Sequence, residues 1–274
     1  MRILKWLTLA LFSYVAVAFS LHLDWMSIAG AVLQPRLIAN HDVLLMVVAV
    51  FGTTISPYLF FWQAAQEMEG SAGRAAPTPK AVHRHLRRIK ADTITGMAFS
   101  NLIAFFIIVS TAATLHAAGV TDIKTSAQAA EALRPLAGEF SFLLFSLGII
   151  GTGMLAVPVL AGSAAYAVAE AAGWSGGLSA HLERGEGRGF YAVVAAATCG
   201  GVIMCFTPVD PVKELFWSAV LNGVIAVPIM AVMMLLASRE KTMGSHVIGP
   251  GLRILGWGAT AAMTATVLAM FVTL

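Results

Sequence analysis

Charge is what this sequence has least of. Only 11% of its 274 residues are Asp, Glu, Lys or Arg, while 58% are hydrophobic. Soluble domains carry about 25% charged residues. So few charges cannot coat a water-facing surface, which excludes an ordinary soluble domain. Cysteine is nearly absent as well. Cys199 and Cys205 stand in one apolar run. At roughly 9 Å of helical rise apart, they cannot pair without breaking that helix. A disulfide scaffold is therefore excluded. The sequence also has no nucleophile elbow, no P-loop and no HExxH, so nothing argues for an enzyme and no cofactor is called for. The seven histidines offer no haem or zinc spacing within an apolar run; only His83 and His85 stand close together, in a basic stretch.

What the sequence has is long apolar runs. Seven candidate spans run roughly over 4–22, 42–66, 91–116, 140–173, 190–207, 212–237 and 251–273. A helix needs about 20 residues to cross about 30 Å of hydrocarbon. The runs are too long and too continuous for barrel strands. Only helices and closed barrels satisfy their backbone in lipid. The reading is an all-α integral membrane protein, one membrane domain over 1–274 with about seven transmembrane helices, multi-pass in the inner (plasma) membrane.

Thirteen of the 17 Lys and Arg fall on one side of this segmentation. That asymmetry puts the N-terminus in the cytoplasm and the C-terminus outside. The stretch 67–90 reads as a basic cytoplasmic loop. Its cluster HRHLRRIK, His83 to Lys90, is a topology determinant, with anionic lipid contact as the alternative. No aromatic platform is interleaved there, so nucleic acid is not a partner; the lipid bilayer is. The first segment has a basic start and an apolar run, and Ala16, Val17 and Ala18 fit a small-x-small cleavage site. A retained span and a cleaved signal peptide both fit it.

One span is interrupted. Within FGTTISPYLFFWQ, Phe51 to Gln63, the six residues from Gly52 to Pro57 hold a glycine, two threonines, a serine and a proline. Pro57 lacks an N–H, clashes with the carbonyl one turn earlier and pushes Ser56 out of helical geometry. Gly52 permits dihedrals that other residues avoid. Together they predict two half-helices, about 42–52 and 58–68, joined by a few unwound residues. Two readings stand. One is a proline kink whose hydroxyls bond back to their own helix. The other is the midplane site of a secondary transporter, where freed carbonyls coordinate a cation. Other polar groups within or beside the apolar runs are Gln63, Gln66, Asp92, Asn101, Glu170, Asp210, Glu214 and Asn222. Asn222 either faces a cavity or bonds another helix.

FGTTISPYLFFWQAAQEMEG resembles the sixth helix of the NRAMP family of proton-coupled divalent-metal transporters. GTGMLAVPVLAGSAAYAVAEAAGW, Gly151 to Trp174, resembles the eighth, and Leu4 to Phe19 the fifth. The remaining spans fit helices seven, nine, ten and eleven in order. The resemblance implies a partial LeuT-like fold that begins at the fifth helix, with 42–237 as the second inverted repeat. It implies proton-coupled divalent metal transport of the Mn/Fe/Mg class, with metal ion and protons as partners. The first helix of the family supplies an acidic residue and an asparagine to the metal; here a separate chain would supply the first four helices. In the site so implied, the Thr53 carbonyl and Ser56 contact the metal, with Tyr58 and Asn222 beside them and Gly52 and Pro57 opening the helix. Typical members carry methionine and histidine where this chain has Ser56 and Tyr58. A hydroxyl suits harder ions than a thioether does, so the expectation is weaker rejection of Mg²⁺. Two other classes remain: a LeuT-fold carrier for an amino acid or other organic solute, and a non-transporting membrane scaffold or partner subunit.

Overall fold

The computed structural model describes residues 8–34, 40–71, 79–174, 176–178 and 187–273. Among them every regular element is helical. A 3₁₀ turn, Thr8–Phe12, leads into α1 (Ser13–Ser20), followed by α2 (Trp25–Leu33), α3 (His41–Thr54), α4 (Pro57–Ser71) and α5 (Pro79–Thr111). A π-helical turn, Ala112–His116, ends α5, and short turns from Ser126 to Phe140 lead to α6 (Ser141–Ala172). Then come α7 (Arg188–Met204), α8 (Pro211–Ala237) and α9 (Pro250–Val272).

Five stretches are long and apolar enough to cross a membrane: His41–Gly70, Lys80–His116, Ser126–Ala172, Pro211–Ala237 and Pro250–Val272. A sixth forms only if Leu9–Ser20 and Trp25–Leu33 count together, and these are bent by 113°. The remaining run, the fifth (190–207), is α7, whose 17 residues rise about 25 Å, short of a full hydrocarbon core. The count from apolar runs alone is thus seven, and the count by helix length is five to six. Only 11% to 28% of the most apolar window of each span is buried by the chain itself. Ile149, Ile150 and Met154 of α6 and Leu252, Ile254 and Leu255 of α9 are exposed. Such faces are costly in water and at home in acyl chains.

The chain divides into two compact units: one of residues 1–30 and 61–208, the other of 31–60 and 209–274. The first has two apolar cores. In one, Tyr14, Val17 and Ala18 of α1 pack with Phe106 and Val109 of α5 and with Leu133. Ser110, fully buried, donates its hydroxyl to the Tyr14 carbonyl at 2.9 Å. Of the small-x-small pattern, Val17 and Ala18 are interior and Ala16 is exposed. In the other core, Ala65 of α4 packs with Ala165, Tyr166 and Ala169 of α6 and Phe190 of α7. The second unit is built on Val48 and Ala49 of α3, Ala219, Val220 and Ala226 of α8, and Met263, Val267 and Met270 of α9.

The basic stretch is largely helical. Glu67 to Ser71 finish α4, Pro79 to Lys90 open α5, and 72–78 lie outside the described residues. Arg88 pairs with Asp92 one turn on, at 3.5 Å. Asp210 caps α8, accepting the Val212 N–H at 3.0 Å.

Candidate functional site

The span His41–Gly70 is broken at two residues. α3 ends at Thr54, Ile55 leaves helical geometry at φ −102° and ψ 68°, and α4 restarts at Pro57. Pro57 takes the first helical position, where its missing N–H costs nothing. The Leu59 N–H bonds the Ser56 carbonyl at 3.1 Å and the Ile55 N–H bonds Phe51 at 2.7 Å. Among the described residues, the carbonyls of Gly52, Thr53 and Thr54 accept no backbone N–H. Their helical partners would be Ser56, Pro57 and Tyr58. Three carbonyl dipoles are thus released in one turn of an apolar span.

The hydroxyls turn back onto the helix. Thr53 and Thr54 both donate to the Val50 carbonyl, at 2.8 and 2.9 Å. Ser56, buried at 5% exposure, donates to the Thr53 carbonyl at 3.0 Å. A hydroxyl that donates its proton keeps lone pairs for a cation, and a carbonyl that accepts one bond keeps a second acceptor site. The break therefore presents neutral oxygens without a charge. No group of three or more His, Cys, Asp or Glu that could hold a metal occurs among the described residues.

Gly52 lies within α3, three residues before the break. A Cβ there would overlap the Ala219 carbonyl of α8 and come within 2.6 Å of the Gly223 nitrogen. A Cβ at Gly223 would come within 2.6 Å of the Val48 carbonyl. Two glycines let α3 and α8 cross backbone to backbone just before the break. The signal for this was present as small residues one turn apart, Ala219 and Gly223. Asn222, next to Gly223, is half-buried. Tyr58 is half-buried in the first turn of α4. Gln63, Gln66, Asn101, Glu170 and Glu214 are exposed. A tie at the far end of α4 is absent from the sequence pattern: Glu69 accepts the Tyr166 hydroxyl at 2.7 Å. Nothing in the spacing of residues so far apart in sequence announces it.

These features define a multi-pass, all-α membrane protein in which one span opens at a proline and frees backbone carbonyls. The family described as "Natural resistance-associated macrophage protein-like" matches residues 1–273, and the chain belongs to this Nramp family. Curated relatives are named divalent metal cation transporter MntH. That of Granulibacter bethesdensis is 25% identical over 141 residues, 52% of this chain and 31% of the relative. That of Caldanaerobacter subterraneus subsp. tengcongensis is 25% identical over 146 residues, 51% of this chain and 32% of the relative. That of Xanthomonas campestris pv. campestris is 26% identical over 129 residues, 46% of this chain and 28% of the relative. The matched stretch spans about a third of the length of these relatives.

Proposed function

We propose that the break between α3 and α4 is one side of a divalent-cation site, and that the chain serves proton-coupled transport of Mn/Fe/Mg-class ions. The observation that carries this reading is the set of released carbonyls at Gly52, Thr53 and Thr54. A metal ion stripped of water needs oxygen ligands already in place, and carbonyls freed of their helical N–H partners at membrane depth supply them. Thr53 and Ser56 contribute directly; Tyr58 and Asn222 stand as polar groups that line the path. The metal is substrate, and the reading needs neither an enzyme's machinery nor a resident cofactor. Family membership and the names of the relatives support the substrate class.

Neutral oxygens alone hold a divalent ion weakly, because affinity rises with the charge of the ligands. The acidic ligand is assigned to the family's first helix, carried on the same polypeptide or on a separate chain. The charge bias supports an N-terminus in the cytoplasm, and the same reading takes the inner membrane as the location. Mn²⁺ uptake by cells expressing the chain tests the proposal. Wild type should exceed the empty vector, and the Thr53→Ala/Ser56→Ala double variant should fall towards it. Equal uptake by wild type and double variant, both above the vector, would remove the two hydroxyls from the site; the carbonyls, which this variant keeps, are tested by Pro57→Ala. A non-transporting scaffold is favoured by one observation, the lack of any acidic or histidine cluster among the described residues. Uptake no higher than the vector, in the presence of the remaining family helices, would support it.

A further inference from the structure

One carboxylate fastens the far end of the broken helix. Glu69 Oε1 accepts the Tyr166 hydroxyl of α6 at 2.7 Å and the Leu178 N–H at 3.1 Å. The same N–H lies 3.2 Å from Tyr166 Oη. The Leu178 carbonyl accepts the Tyr191 hydroxyl of α7 at 3.0 Å. A single chain of hydrogen bonds thus joins α4, α6, the segment after α6, and α7. Aromatic rings pack beside it: Trp62 and Tyr166 centroids are 6.0 Å apart, Tyr166 and Phe190 4.8 Å.

The local sequence makes room for this contact. A Cβ at Gly177 would overlap Glu69 Oε1, and one at Gly162 would overlap the Trp62 ring. Two helical or loop positions on the α6 side are therefore cut back to glycine where α4 residues press in. Glu67, two residues earlier, pairs with His85 of α5 at 2.9 Å, but that pair is exposed. Screened surface pairs contribute little. The Glu69 contact is the better placed of the two, since a carboxylate accepts several donors at once and charge-assisted bonds are the strong ones.

Glu69 is too far from the break to bind an ion there. About 18 Å of helix separates it from Pro57 at 1.5 Å per residue. We propose that Glu69 is a positioning residue for transport. By holding the far end of α4 on α6 and α7, it fixes the half-helix that begins just after the break. Its effect on transport rests on the transport reading above; its effect on α4 does not.

The test separates the two. Spin labels at Ala64→Cys on α4 and Val168→Cys on α6 report their distance in the full chain in lipid nanodiscs, with Cys199 and Cys205 replaced by Ala. Wild type should give one narrow distribution. Glu69→Ala should broaden it. Gly177→Ala, which evicts the carboxylate without changing its chemistry, should do the same. Glu69→Gln keeps an acceptor oxygen and should preserve the narrow distribution. Gly200→Ala meets nothing within 4 Å and should leave it unchanged. For Mn²⁺ uptake, Glu69→Ala and Gly177→Ala should lower the maximal rate about tenfold, the upper end of the net worth of one hydrogen bond. KM should stay the same, and Glu69→Gln should restore the rate. An unchanged distribution in both Glu69→Ala and Gly177→Ala would overturn the tie. A broadened distribution with an unchanged maximal rate, or a raised KM alone, would overturn the positioning role. If wild type moves no metal, the transport reading fails, and the distances still decide the tie.

Discussion

At the residue scale, Ser56 and Gly52 show how one stretch serves two ends. Ser56 is buried against its own helix, with its proton on the Thr53 carbonyl. In the proposed site it offers an oxygen where a thioether would favour softer metals. Ser56→Met should raise the preference for Mn²⁺ and Fe²⁺ over Mg²⁺, read as Mg²⁺ competition against Mn²⁺ uptake. Competition as strong as in wild type would contradict the proposal. Gly52 was expected to open the helix through its backbone freedom. The structure instead keeps it helical and uses its missing side chain, because the Ala219 carbonyl occupies the place of a Cβ. Gly52→Ala should therefore cost about 1–3 kcal/mol, the usual penalty for overpacking, seen as a lower thermal midpoint. Gly200→Ala, with open space around it, should change stability by no more than about 0.5 kcal/mol.

At the element scale, the break follows from Pro57 alone in its position and from its neighbours in its consequences. The sequence shows that a helix must stop before Pro57, and the half-helices His41–Thr54 and Pro57–Ser71 lie close to the expected limits. It does not show how narrow the gap is, because α3 runs on past Gly52 to Thr54. It also leaves open which way the hydroxyls turn. The structure turns them back on Val50 and Thr53, which answers for the protons and leaves the oxygens available. Pro57→Ala restores an N–H that can reach the Thr53 carbonyl. Hydrogen exchange should then find a protected amide at residue 57, and metal uptake should fall while the protein remains folded. Full uptake with a healed helix would show that the freed carbonyls are not used. The tie at Glu69 was not legible, since its partners Tyr166 and Leu178 are remote in sequence and carry no shared pattern.

At the scale of the whole molecule, composition and run length were enough for an all-α membrane protein, and the family was legible only through the resemblance of Phe51–Gly70 and Gly151–Trp174 to its helices. The number of spans was less legible. Run length shows that the run at 190–207 is short, as α7 is, but it does not reveal the 113° bend after Ser20. The charge bias predicts that the basic stretch 67–90 faces the cytoplasm. Cysteines placed there should react with a membrane-impermeant maleimide only after the cells are opened; labelling of intact cells would reverse the assigned orientation. The central claim is that the break between α3 and α4 holds a divalent ion. Anomalous diffraction from crystals of the protein soaked in Mn²⁺, together with any chain that co-purifies from its membrane, tests it most directly. The account predicts a manganese peak at the carbonyls of Thr53 and Thr54 and the hydroxyl of Ser56. Ordered manganese elsewhere in the membrane span, with none at the break, would contradict it.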